Sequence, residues 1–77
     1  MTLPRLLLVA DEFTDAKVAA KVRSAVKYGV RWVQLRDHMA SPDTFDVAAD
    51  RLMRDLMAIN RNVLITINSR ITMAAEH

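Results

Sequence analysis

The chain has 77 residues, room for one small domain that buries only about 60 % of the surface its unfolded chain exposes. Its 52 % hydrophobic and 26 % charged residues exclude a disordered tail, and the short apolar run at residues 6–10 excludes a membrane span or a signal-peptide core. The net charge of +2 comes from interspersed charges with few aromatic residues, which argues against nucleic-acid binding, and the lack of cysteine fits the cytoplasm.

The first predicted unit is a strand followed by a helix. Residues 6–10 form a continuous apolar run, typical of a strand that is buried on both faces of a parallel sheet. Residues 15–28 carry apolar side chains at helical spacing, and Thr14 is expected to be the N-cap. Gly29, the only glycine of the chain, then stands where a left-handed residue closes a helix.

The second predicted unit repeats this order. Residues 30–36 are rich in β-branched and aromatic side chains and form the second strand, with Trp32 expected in the core. Ser41 and Pro42 suit the N-cap and the first helical position of a helix that ends near Ile59. Two surface ion pairs are expected four residues apart on this helix, Asp50 with Arg54 and Arg51 with Asp55.

The third predicted strand covers residues 63–67, and residues 71–76 are expected to open a third helix. Strands that alternate with helices of this length pair in parallel through right-handed crossovers. We therefore predict an α/β fold, a parallel βαβαβ(α) unit in which residues 1–77 form a single partial domain.

Three polar segments follow the three strands, at residues 11–12, 34–38 and 68–70. Ligands of parallel α/β folds bind at the carboxyl ends of the strands, so these segments are expected at one edge of the sheet. Side chains alternate across a strand, so Gln34 and Arg36 lie on one face of the second strand, and His38 is spaced to lie on that face too. In the third strand, Asn68 lies on the same face as Thr66. Amide, guanidinium and imidazole groups that converge there suit a phosphate or pyrophosphate.

Each of these residues also has a plainer interpretation. Gln34 and Arg36 can be a polar strand end that faces water, and His38 can be an ordinary loop residue. Asn68 can simply cap the helix that follows, and Asp11 can be a turn residue or a solvated charge.

Three sequence motifs resemble those of a known family. LVAD at residues 8–11, VQLRDH at 33–38 and ITINSR at 65–70 resemble the first three strand ends of thiamine-phosphate synthases, which read L-V-T-D, V-Q-L-R-x-K and I-I-N-D-R. The resemblance spans nearly the whole chain, but only about a third of a typical (β/α)8 barrel. The VQLR segment is its most specific part.

The resemblance implies an incomplete TIM (β/α)8 barrel and a transferase. Such enzymes join hydroxymethylpyrimidine pyrophosphate to thiazole phosphate in thiamine biosynthesis, with Mg²⁺ and release of pyrophosphate. Gln34 and Arg36 match residues that hold the pyrimidine substrate and its pyrophosphate, and Asn68 matches a second contact to that group. Fixed cationic groups and a metal suit the negative charge that builds on a departing pyrophosphate.

Two positions depart from the family pattern. His38 replaces a lysine, so a group that is largely neutral near pH 7 stands in place of a permanent cation. Ser69 replaces an aspartate that binds Mg²⁺, and a hydroxyl is a poorer ligand for that ion. These changes also fit the related thiazole tautomerase (TenI-type) branch.

A barrel needs more strands than the three predicted here. We therefore expect a truncated or fragmentary synthase that is inactive alone, completed by the remainder of the barrel or by self-association into a homo-oligomer. The remaining alternative is a non-catalytic, self-associating α/β module.

Overall fold

The computed structural model describes residues 6–68, which form three strands and two helices in alternation. The elements in chain order are β1 (Leu7–Asp11), α1 (Ala16–Lys27), β2 (Trp32–Arg36), α2 (Pro42–Ile59) and β3 (Leu64–Asn68). The strands pair in parallel in the order β1-β2-β3. The predicted parallel βαβαβ arrangement is confirmed, whereas the predicted third helix lies outside the described residues.

The strand boundaries differ slightly from those predicted, and the differences affect the carboxyl ends of the strands. β1 and β3 each extend one residue further than predicted, to Asp11 and Asn68, because both residues pair with Arg36 in the ladder. β2 begins later than predicted, since the Val30 N–H donates to the Ala25 carbonyl and closes α1 instead. All three strands therefore end in a polar residue, in one row across the sheet.

The N-cap of α1 is Asp15, so the prediction of Thr14 is wrong. The Asp15 carboxylate accepts a hydrogen bond from the Lys17 N–H at 2.7 Å, while the Thr14 hydroxyl donates to Asp37 in the loop after β2. Aspartate and threonine can both cap a helix. Because the Thr14 hydroxyl is hydrogen-bonded to Asp37, Asp15 is the residue that caps α1.

The other predicted helix ends are confirmed. Ser41 caps α2 by accepting from the Thr44 N–H at 3.2 Å, and Pro42 follows in the first turn. Gly29 lies after α1 with a φ of 119°, in the left-handed region that glycine tolerates without strain.

Both helices pack against one face of the sheet. Val33 and Leu35 of β2 are completely buried there, and the Phe13 and Phe45 rings meet edge to face with centroids 4.9 Å apart. The remaining buried core residues are Ala10, Val22, Val26, Ala49, Leu52 and Leu56.

The opposite side of the sheet, here called the open face, has no helix of residues 6–68 against it. Leu7, Val9 and Leu64 lie on it with 36 %, 43 % and 38 % of their surface exposed. Trp32 shares this face and is only half-buried, so its prediction as a core residue is wrong. Side chains alternate across a strand, so the indole lies on the same face of β2 as Gln34, opposite Val33 and the helices.

One further prediction about α2 needs correction. Asp50 and Arg54 form the expected pair at 3.2 Å, but Asp55 pairs with Arg23 of α1 at 3.5 Å. Neither helix in residues 6–68 is long and apolar enough to cross a membrane.

Candidate functional site

Polar side chains from all three strands meet at the carboxyl edge, defined here by the terminal residues Asp11, Arg36 and Asn68. In the parallel register Arg36 lies opposite Asp11 on one side and opposite Asn68 on the other. Gln34 precedes Arg36 by two residues and therefore shares its face, opposite the helix-covered face that buries Leu35. The structure thus brings Gln34, Arg36 and Asn68 to one end and one face of the sheet.

Arg36 is the centre of this edge. Its Nε lies 3.6 Å from Asp11 Oδ1, which is an ion pair but too long for a hydrogen bond. Within residues 6–68 this Nε is buried without a hydrogen-bond partner. The sequence interpretation of Asp11 as a turn residue or solvated charge missed this pairing, although the alternation along β1 places Asp11 two residues after Val9 on the open face.

His38 lies beside Arg36, so it is more than an isolated loop residue. The His38 Nε2 is 2.6 Å from the Arg36 Nη2. A guanidinium can only donate hydrogen bonds, so the imidazole nitrogen must accept through its lone pair. The contact therefore requires the neutral ring.

Asp37 holds the loop that carries His38. Its carboxylate accepts from the Thr14 hydroxyl and from the backbone N–H groups of Met39 and Ala40, at 3.0 and 3.2 Å. Partial burial by itself raises the pKa of Asp37, but these hydrogen bonds hold that pKa below its ordinary value. Asp37 thus joins the loops after β1 and β2, a role that the sequence analysis missed.

The end of β3 contributes one described residue, Asn68, which is exposed. Ser69, predicted at the position of the family's Mg²⁺ ligand, lies outside the described residues, as does the helix that Asn68 was expected to cap. Residues 6–68 contain no group of three His, Cys, Asp or Glu side chains that could hold a metal ion. Because Asp11 is already paired with Arg36, these residues do not fit a Mg²⁺ site by themselves.

A polar depression of about 510 Å³ adjoins the carboxyl edge on the helix side. Three carboxylates line it, those of Glu12, Asp15 and Asp37. These negative charges disfavour an anion in the depression. A phosphate would therefore approach Arg36 from the open face.

A separate groove of about 720 Å³ lies between α1 and α2. Ala19, Ala48 and Leu52 contribute to its apolar lining, and the ion pair of Arg23 and Asp55 contributes charges of both signs. None of the predicted site residues lines it. The chemistry predicted for an anion therefore lies at the carboxyl edge and not in the groove.

No protein-family model matches the chain, and comparison with curated proteins and with solved structures found no match either. The resemblance to thiamine-phosphate synthases therefore depends on the three strand-end motifs alone.

Proposed function

We propose that the carboxyl edge binds a small molecule that carries a phosphate or pyrophosphate group. Arg36 is the principal contact, and Gln34 and Asn68 contribute amide donors on either side of the anion. The observation that supports this proposal most strongly is the parallel register, which aligns Arg36 with Asn68 and places Gln34 two residues away on the same face.

Arg36 suits an incoming anion because its present partners leave its Nε–H without a hydrogen bond. The carboxylate of Asp11 is 3.6 Å from Nε and makes no hydrogen bond there. A guanidinium has five N–H donors in a planar fork, which matches the oxygen atoms of a phosphate. A pyrophosphate brings more negative charge than one carboxylate, so it can displace Asp11 from this guanidinium.

The finer form of this proposal is a thiamine-phosphate-synthase-like chain, an incomplete TIM barrel from the transferase class. It is supported by the order and spacing of the three motifs and by the parallel βαβαβ arrangement in which they stand. In that reaction Gln34, Arg36 and Asn68 would bind and orient the pyrophosphate that leaves. Mg²⁺ would accompany the pyrophosphate, since the described residues supply no carboxylate set for it.

A second proposal concerns what covers the open face. The exposed leucines Leu7 and Leu64, with Val9, form an apolar surface beside the outer edges of β1 and β3, which no other strand of residues 6–68 pairs. Exposed strand edges favour pairing with further strands. Further barrel strands or a second copy of the chain would bury this surface, which is the basis of the self-associating alternative.

Replacing Arg36 by Ala tests the binding site directly. We expect the affinity for sodium pyrophosphate, measured by isothermal titration calorimetry, to fall about tenfold or more, because hydrogen bonds to charged groups are worth about 1.5–3 kcal/mol. Arg54→Ala is the matched control, because Arg54 is a strongly exposed arginine that pairs with Asp50 on α2. Equal affinities in wild type and Arg36→Ala would refute the proposed site.

A further inference from the structure

We infer that His38 makes anion binding at the carboxyl edge depend on pH, so that the site takes a multiply charged phosphate more tightly in mildly acidic solution. The inference rests on the proposed anion site and adds a regulation to it. Neutral His38 holds one donor of Arg36, whereas protonated His38 releases that donor and adds a second positive charge.

The first step is competition for one atom. The Arg36 Nη2 that contacts His38 Nε2 at 2.6 Å is a terminal donor of the guanidinium, the kind of group that a phosphate oxygen would use. While the imidazole accepts this hydrogen bond, an anion must displace it. A protonated imidazole has no lone pair left on Nε2, so the contact ends and the two cations repel.

The second step is the charge that protonation adds. His38 is exposed and lies next to Arg36, so a bound anion can lie between an imidazolium and a guanidinium. Two adjacent cations favour a ligand with several negative charges, such as pyrophosphate, over a singly charged one. His38 is then a positioning residue for Arg36 at high pH and a direct anion contact at low pH.

Several of the other charged groups near His38 already have partners of their own. The charged groups of the neighbouring elements are Asp11 and Arg36 at the strand ends, Glu12, Asp15 and Asp37 in the loops after β1 and β2, and Asp43 in the first turn of α2. Asp15 caps α1 by accepting from the Lys17 N–H. Asp11 is paired with Arg36, and the carboxylate of Asp37 is engaged by the Thr14 hydroxyl and two backbone N–H groups. Asp43 lines the groove between the helices.

The expected size of the effect follows from linkage between protonation and binding. Imidazole groups ordinarily change charge between pH 5 and 8. A hydrogen bond from the charged imidazolium to the anion, absent in a variant without the imidazole, raises the anion affinity at low pH about tenfold or more. The ratio of the wild-type affinity to the His38→Asn affinity should therefore rise about tenfold between pH 8 and pH 5.5.

The test is a calorimetric titration of the full chain with sodium pyrophosphate at pH 5.5 and pH 8. Wild type, His38→Asn and His38→Lys are compared, with His77→Asn as the control for the only other histidine. Comparing the variants at the same pH corrects for the part of the pH effect that comes from protonation of pyrophosphate in solution. The inference predicts that His77→Asn follows wild type and that His38→Lys binds tightly at both pH values.

The outcomes separate the two proposals. If wild type and His38→Asn keep the same affinity ratio at both pH values while Arg36→Ala still weakens binding, the inference is wrong and the proposed site stands. If wild type does not bind pyrophosphate at either pH, or if Arg36→Ala binds as wild type does, the site and the inference are both wrong.

Discussion

Replacing Leu35 by Ala is expected to lower the free energy of unfolding by about 3 kcal/mol, the middle of the range for buried leucines. Leu35 is completely buried between β2 and the two helices. The smaller side chain removes apolar contacts and leaves a cavity that the close-packed surroundings fill only in part. A domain of this size has little stability in reserve, so the loss should be visible at room temperature.

Urea denaturation followed by circular dichroism measures this effect as a lower midpoint with an unchanged slope. Val47→Ala is the control, because Val47 lies on α2 and is 65 % exposed, and it should change stability by no more than about 0.5 kcal/mol. Leu35 lies between Gln34 and Arg36, so its burial fixes the face on which they lie. A Leu35→Ala variant as stable as wild type would mean that Gln34 and Arg36 face the helices, which would remove the site.

Replacing Asp37 by Ala is the second large change. At pH 7 we expect a loss of about 2 kcal/mol, because the Thr14 hydroxyl and the N–H groups of Met39 and Ala40 lose their common acceptor. The same substitution should weaken pyrophosphate binding, since the loop that places His38 beside Arg36 loses its anchor. Unfolding in urea at pH 7 checks the first effect, with the exposed Asp46→Ala on α2 as control.

The dependence of folding stability on pH in acid solution gives an independent check on the role of the Asp37 carboxylate. Its pKa is lower in the folded chain than its ordinary value, so its carboxylate stabilises the fold at pH values above the unfolded pKa, near about 4. That contribution is lost as the pH falls through the folded pKa. The stability difference between wild type and Asp37→Ala should therefore shrink below about pH 4. A difference that stays constant down to pH 3 would contradict this assignment.

The sequence predicts the order of elements because each carries a local signal. The apolar runs mark strands, and Ser41, Pro42 and Gly29 mark helix ends through their own backbone preferences. Thr14 could not be assigned in this way, because its hydroxyl bonds to Asp37, a partner distant in the chain. The sequence also predicts the wrong environment for Trp32, because residue type alone does not show which face of a strand the helices cover.

The candidate site was predictable only in part. Alternation along β2 predicts that Gln34 and Arg36 share a face, and the parallel arrangement predicts that Asn68 joins them. The pairing of Arg36 with Asp11 depends on the register between two strands, and no local pattern specifies that register. The contact of His38 with Arg36 depends on the path of a loop that Asp37 anchors.

The central claim is that an anion binds on the open-face side of the carboxyl edge, and heteronuclear NMR tests it most directly. In a titration of the isotope-labelled chain with sodium pyrophosphate, the largest chemical-shift changes should occur at Gln34, Arg36 and Asn68, and they should be lost in Arg36→Ala. Changes concentrated at Ala48 and Leu52 in the groove between the helices, or unaltered by Arg36→Ala, would contradict the account.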